Sequence, residues 1–427
     1  MNRVFVLTNT KQPLMPCRPA RARKLLKKGR AAVYRFAPFT ILLKDRAAGD
    51  VQPLEVKVDP GSKTTGLSLV ALFERGREVI WAANLYHRGQ AIRAALADRR
   101  SFRRGRRARH TRYRAPRFLN RTRPEGWLPP SLRSRVENIC ALVAKLQVRA
   151  PITGAAIETV RFDTQLMQNP GISGVDYQQG TLAGYEVREY VLHKWNRTCA
   201  YCGVKDVPLE IEHIVPRSRG GSNRPSNLTL ACRPCNGKKG NQPVEVFLAS
   251  SPDRLKRIKA QARAVLKDAA AINATRYAIG AAIKGLGLPT TFWSGGRTKM
   301  NRIAQGYAKD HWIDAACVGE TGAAVRIPPA MQALEIKAMG RGRRRVMGND
   351  KYGFPKGTPR THKRVQGFQT GDLARITCTK GKSAGTHIGR IASIRARGWF
   401  VLNKHDRPAR EFQLLQRADG YAYGAAA

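Results

Sequence analysis

Apolar positions along the chain alternate in short runs near the ends and recur with helical spacing in the middle. VFVL (4–7) and FTILL (39–43) flank a basic helical stretch, RARKLLKKGRA (21–31), which predicts a small β-α-β unit. EVKVDPGSKTTGLSLVAL (55–72) predicts a strand ending at Asp59, a Pro-Gly turn and a second strand, and REVIWAAN (77–84) predicts a third. Joined by short turns, the three make an antiparallel meander. SLRSRVENICALVAKLQ (131–147) places Leu132, Val136, Ile139, Val143 and Leu146 at spacings of three and four, the pattern of an amphipathic helix. It leads into TGAAIETV (153–160), a buried strand carrying Glu158 near its end. Helical patterns (254–285), a short strand at TTFW (290–293) and the helix HWIDAACVGE (311–320) follow a segment rich in Cys, His and Asn (190–248). DLARITC (372–378), RIASIRA (390–396) and GWFVLN (398–403) alternate as strands of a small barrel or sheet. The expected fold class is α+β / α/β, spread over several domains.

One segment fits none of these patterns. Residues 88–123 are rich in Arg and Ala and polar nearly all round, so a helix there lies on something anionic rather than on a core. The composition agrees. The chain has 427 residues and a formal charge of +49, yet 42% of it is hydrophobic, enough for folded cores. Nine Lys/Arg and no acid fall in residues 1–30, twelve Arg and no acid in 99–123, and 19 basic against three acidic residues in 337–410. These segments carry +37, leaving +12 for a nearly ordinary body. Such charge points to a nucleic-acid partner, with a membrane surface as the weaker alternative. No apolar run is long enough to span a bilayer and the N-terminal run is too short for a signal-peptide core, so a soluble cytoplasmic protein is expected.

Four of the eight cysteines form two C-x-x-C pairs, CAYC (199–202) and CRPC (232–235), with 29 residues between them. Cys199, Cys202, Cys232 and Cys235 can each offer a thiolate to one tetrahedral Zn²⁺, and four thiolates leave no open position, so the ion is structural.

Between the pairs lies LEIEHIVPRSRGGSNRPSNLTLAC, followed by CNGKKGN. The spacing of 14 residues from His213 to Asn227 and nine more to Asn236 resembles the HNH ββα-metal endonucleases, in the variant with Asn for the final His. The resemblance implies that His213 is the general base, that Glu212 and Asn236 hold one Mg²⁺, and that Asn227 fixes the loop aiming the histidine. It also assigns Lys239 to transition-state charge on the nucleic acid. Many HNH enzymes carry Asp where this chain has Glu212.

Asp59 in VDPGS, Glu158 in AAIETV and Asp314 in HWIDAA are each weak signals, an Asp before Pro-Gly being most often a turn former. Their order, with His311 one helical turn before Asp314, resembles the RNase H-like core of RuvC nucleases. That implies a two-metal site with Mg²⁺ ions about 4 Å apart, His311 acting on the nucleophilic water. An RNase H-like domain split by an Arg-rich helix and again by an HNH module resembles the type II CRISPR effectors and their compact transposon-encoded relatives, the IscB proteins. Gln12-Pro13-Leu14-Met15-Pro16 is similar to the PLMP signature of IscB.

The resemblance implies these boundaries: a PLMP domain (1–50), RuvC-I (51–95), bridge helix (96–125), RuvC-II (126–189), HNH (190–248), RuvC-III (249–328) and a C-terminal basic β-rich domain (329–427). It implies an RNA-guided double-strand DNA endonuclease, HNH cutting the guide-paired strand and RuvC the displaced one, with a structured guide RNA bound to one protein copy. The bridge helix would track guide phosphates through Arg99, Arg100, Arg103, Arg104, Arg106, Arg107, Arg109, Arg112, Arg114 and Arg117. The C-terminal region would read a target-adjacent motif, with Arg390, Arg395 and Arg397 as candidates, or serve as a general RNA-binding module. The competing readings are an HNH homing or restriction endonuclease without a guide, and a zinc-containing RNA-binding scaffold.

Overall fold

The computed structural model describes every residue except 1, 110–125, 160–190, 193, 223–224, 264–266, 341–347, 353, 358–362, 379–383, 396–397 and 426–427. The chain divides into two compact units, Met1–Thr159 with Tyr277–Ala427, and Val160–Arg276.

The larger unit begins with β1 (Val4–Leu7), β2 (Pro13–Cys17), α1 (Pro19–Lys27), β3 (Ala31–Arg35) and β4 (Thr40–Leu43), a sheet of order β2-β1-β4-β3. β1 and β4 are parallel, so the predicted β-α-β unit is its centre. Two edge strands enlarge it. β2 contains two prolines, which a strand tolerates at an edge where the missing N–H faces outward.

The meander follows as β5 (Leu54–Pro60), β6 (Thr64–Phe73) and β7 (Gly76–Tyr86), then α2 (Gly89–Ala108), α3 (Pro130–Gln147) and β8 (Ile152–Glu158). β8 pairs parallel with β5. The smaller unit holds β9 (Leu209–His213), β10 (Leu228–Cys232), α4 (Arg233–Lys239), α5 (Val244–Phe247) and α6 (Pro252–Arg263). α7 (Lys267–Lys284), β11 (Thr290–Trp293), α8 (Gly295–Ala304), α9 (His311–Ala316), β12 (Val325–Arg326) and β13 (Leu334–Ala338) return the chain to the large sheet. β14 (Gly348–Asn349) and β15 (Pro355–Lys356) form a small hairpin. β16 (Leu373–Cys378), β17 (Gly385–Ile394), β18 (Trp399–Leu402), β19 (His405–Pro408) and β20 (Phe412–Gln416) make a five-stranded sheet, and β21 (Tyr421–Ala425) rejoins the large one.

The large sheet runs β11-β8-β5-β6-β7-β13-β21 and is buried on both faces. Val56, Val58, Leu67, Leu69 and Ile157 pack with Ile139, Leu142 and Val143 of α3. Val70, Val79 and Ala82, on the other face, pack with Trp312 and Ala316 of α9. This two-sided burial explains why β6 reads as a continuous apolar run.

Three sequence expectations change. The helix expected at 311–320 spans only His311–Ala316, after which the chain turns at Gly319, whose φ is +78°. Residues 252–263 fall in the smaller unit, because Ile258 and Ala262 bury against Val191 and Trp195, so that unit's core continues past 248. β13 and β21, from the segment read as a C-terminal domain, extend the large sheet.

Candidate functional site

In the smaller unit, β9 and β10 are antiparallel, pairing His213 with Leu228 and Leu209 with Cys232. Cys199 opens a tight turn in which the Gly203 N–H donates to Cys199 O at 2.9 Å. Cys232 caps α4 and Cys235 lies in its first turn, while the Ala200 N–H donates to Leu230 O at 2.8 Å and holds the two turns side by side. The four sulfurs lie within 4.8 Å of one another, with Cys202 Sγ and Cys232 Sγ 3.7 Å apart. A tetrahedron with Zn–S bonds of about 2.3 Å has edges of about 3.8 Å, so the sulfurs fit zinc. Burial works upward on the Cys199 thiol, but backbone N–H groups of Cys202, Cys232 and Tyr201 outweigh it and bring it down to about 7. A thiolate forms readily there.

Glu210 and Glu212 alternate with Ile211 on β9, so both carboxylates share the face toward α4. Asn236 Nδ2 donates to Glu210 Oε2 at 2.7 Å. Lys239 Nζ donates to Glu212 Oε1 at 2.6 Å and to His213 O at 3.0 Å. Lys239 is fully buried, which corrects its assignment as a nucleic-acid contact: its ammonium braces Glu212 and the His213 backbone. Asn227 Oδ1 accepts from the Val215 N–H at 2.8 Å, and its Nδ2 donates to Val215 O and Ser222 O, so this one side chain ties down the loop that follows His213. Glu210 was missed in the sequence, although the alternation E-I-E-H carries its signal.

In the larger unit, Val58 is level with Ile157 in the parallel β5–β8 register, which brings Asp59 and Glu158 to the same end of adjacent strands. Lys57, two residues before Asp59 and hence on the same face, donates to Ala316 O and Val318 O at the C-terminal end of α9. Asp59 and Glu158 therefore face α9, which carries His311 and Asp314. His311 Nδ1 lies 3.3 Å from Asp59 Oδ2. Asp314 pairs with Arg302 Nε of α8 at 2.7 Å. Burial, then the charge of Asp59, pushes the Asp314 carboxyl up to about 6, against the pull of Arg302. The hydrogen bond to Asp59 raises His311. Repulsion between Asp59 and Asp314 is what a divalent cation would relieve, and their oxygens are hard donors of the kind Mg²⁺ takes; among the described residues only the four cysteines already stand close enough together to grip one ion.

Four positioning residues escaped the sequence reading because each acts across the chain. Gly66 pairs with Asp59, and a Cβ there would fall 1.8 Å from His311 O, so only glycine lets α9 approach. Ser68 Oγ donates to Trp312 O at 2.7 Å. Arg135, buried on α3, donates to Pro60 O at 2.6 Å and fixes the backbone next to Asp59. Lys57 is wholly buried, its ammonium pushed down to about 8 by burial against the charge of Glu55.

No residue of α2 is buried. Arg100, Arg103, Arg104, Arg106 and Arg107 are exposed and Arg99 half-buried. Arg109, at the end of the helix, lies over the rings of Tyr352 and Phe354 at 5.2 and 4.8 Å. Arg112, Arg114, Arg117 and Arg397 lie outside the described residues. Arg390 donates to Gly371 O and Arg395 pairs with Asp406 at 2.8 Å.

Residues 4–180 match the RRXRR protein family and residues 199–242 the HNH endonuclease family. A CRISPR-associated endonuclease Cas9 from Corynebacterium diphtheriae is 39% identical over 59 residues, 13% of this chain and 5% of that protein. The chain thus spans a small part of that relative's length. Among solved structures, T. thermophilus RuvC in complex with a Holliday junction substrate has 11% identity and a TM-score of 0.24, covering 64% of this chain and 97% of that one. The type II-C Cas9 of Actinomyces naeslundii has 20% identity and a TM-score of 0.16, covering 45% and 29%. Similarities of that size carry no argument of their own. The chain thus carries an RRXRR region followed by an HNH endonuclease region.

Proposed function

We propose that the chain is an RNA-guided endonuclease that cuts both strands of DNA, with one centre in each unit. The observation that carries this reading is the meeting of Asp59, Glu158 and the His311–Asp314 helix at one end of the large sheet, from segments between which the HNH unit is inserted. A homing endonuclease without a guide, or an RNA scaffold, gives no reason for that second cluster.

In the HNH unit His213 takes the proton from the attacking water. Asn227 holds the loop that follows His213, and the buried Lys239 fixes the backbone carbonyl of His213 and one oxygen of Glu212. Asn236, with the carboxylates of Glu210 and Glu212, would hold one Mg²⁺. In the sheet unit Asp59, Glu158 and Asp314 would hold two. Bound Mg²⁺ supplies compensation for the charge that builds on the phosphate and leaving oxygen. There the hydrogen bond between His311 Nδ1 and Asp59 leaves Nε2 as the ring nitrogen able to take a proton from water. The four cysteines would hold Zn²⁺, and exposed arginines of α2 would lie along RNA phosphates.

Strand-resolved cleavage of a labelled duplex by protein carrying its copurified RNA tests the reading. Asp59→Ala should stop cutting of the displaced strand alone. His213→Ala should slow cutting of the paired strand by about 10² to 10⁴-fold. Either change removing both cuts while RNA and DNA still bind would defeat the assignment, as would absence of a discrete copurified RNA.

A further inference from the structure

The larger unit contains, beside its first sheet, a cavity of about 860 Å³, well within the size range of sites for small organic molecules. It is lined by Leu14, Met15, Pro16 and Cys17, so the Pro-Leu-Met-Pro segment that neither cutting centre uses forms one of its walls. Phe73 adds an aromatic ring. Five arginines and two aspartates, Asp45 and Asp50, line it, so its charge is net positive. Two of its arginines are engaged within the protein, Arg3 with Glu78 at 2.6 Å and Arg30 with Asp45 at 2.5 Å. Arg18, Arg21 and Arg46 are exposed, and none of them is within ion-pair distance of a carboxylate among the described residues.

An apolar wall with a thioether accepts the face of a base, while a guanidinium fork accepts phosphate oxygens in pairs. The two kinds of surface meet in one cavity, which fits a nucleotide. A base inside a duplex cannot enter it, whereas an unstacked base in a single-stranded loop or bulge can. Resting on the reading of the chain as an RNA-guided protein, we infer that this cavity holds one unstacked nucleotide of the bound RNA. The base lies against Met15, since Arg3 and Arg75 already lie over the Phe73 ring at 5.5 and 5.0 Å, and its phosphate meets Arg18 and Arg21.

The test uses the full chain and a mixed-sequence single-stranded RNA substituted with 4-thiouridine, irradiated and digested. Adducts should map to residues 13–18, and Met15→Glu, which puts a carboxylate where the base would lie, should reduce them sharply. Arg18→Glu with Arg21→Glu should lower RNA affinity at least tenfold. It should also reduce the slope of log affinity against log salt by about 1.4, two phosphates at about 0.7 each. Arg23→Glu with Lys27→Glu, the same charge change on exposed residues of α1 outside the cavity lining, should cost clearly less. All four positions are exposed, so melting temperatures should not move. RNA binding with no adduct in this segment, or equal losses in the two double variants, overturns the cavity assignment and leaves the RNA-guided reading standing. No RNA binding by the unaltered chain overturns both. Displacement of the adduct by uridine monophosphate below the dissociation constant of the RNA assigns the cavity to a free nucleotide, which also overturns the inference.

Discussion

The two candidate cutting centres are built on opposite physical plans. In the sheet unit the carboxylates stand on strands whose neighbours Val56, Val58, Leu67, Leu69 and Ile157 are completely buried, and α9 is seated against that sheet through Gly66 and Ser68. In the HNH unit the corresponding groups stand on a two-stranded hairpin and a seven-residue helix, joined by four sulfurs around one point. Apolar burial holds the first site in shape without metal. On the proposed reading the second would rely on a metal to close the 29-residue span between its cysteine pairs, since structural zinc contributes about 10 to 16 kcal/mol in small domains.

That contrast breaks most visibly at the cysteines. Cys199→Ser should open the HNH unit, exposing 191–263 to limited proteolysis while the large sheet stays resistant, and should abolish cutting of the paired strand. If the sheet unit melts with it, the two plans are not independent.

The reverse lesion is Gly66→Val. A side chain there collides with the His311 carbonyl, and such overpacking costs about 1 to 3 kcal/mol while moving α9 off the sheet. Displaced-strand cutting should fall to background on a strand-resolved gel, with the paired-strand cut and zinc content unchanged. Within the HNH unit, Lys239→Met isolates the Glu212 charge beneath the hairpin. Removing one partner of a buried pair costs about 3 to 5 kcal/mol, so protease resistance of that unit should drop. Adding Glu212→Gln should restore much of the resistance, because no uncompensated charge then remains, and paired-strand cutting should stay impaired.

How far the sequence revealed the two centres follows the same contrast. The cysteine spacing and the His213–Asn227–Asn236 spacing are local, so the HNH match over 199–242 and the gathering of the four cysteines could be anticipated from them. Glu210 escaped because two carboxylates alternate on one strand and the spacing does not say which faces Asn236. Lys239 was misplaced because a lysine among glycines and asparagines reads as surface, and only its bond to Glu212 shows it buried. In the sheet unit the strands, α3 and the three carboxylates were visible as patterns, and TTFW coincides with β11. Gly66, Lys57 and Arg135 were not visible, since what they touch lies 75 to 261 residues away in sequence. β2 was missed because two prolines break its pattern, and β3 because its apolar residues, Ala-Ala-Val-Tyr, run together without alternating.

The smallest effect separates the units by acid. Asp419 joins three parts of the sheet unit: Arg35 at the end of β3, Lys145 of α3 at 3.2 Å and the Tyr423 hydroxyl of β21 at 2.6 Å. Burial acts upward on its carboxyl, but Tyr423, Lys145 and Arg35 together hold it below the usual carboxylate range. A depressed folded-state pKa means that the stabilisation is fully present above the unfolded value, near 3.9, and disappears as pH falls through the folded one. Asp419→Asn should therefore cost about 1.5 to 3 kcal/mol at pH 7, the scale of hydrogen bonds to a charged group. The gap from the unaltered chain should close as pH falls below about 4. Hydrogen exchange at Tyr421–Ala425 measures the loss in that strand. The HNH unit should show no difference between the two proteins at any pH, because its acid sensitivity follows protonation of its thiolates and release of metal. An Asp419→Asn effect that reached the cysteine cluster would show that the two centres share a single unfolding step.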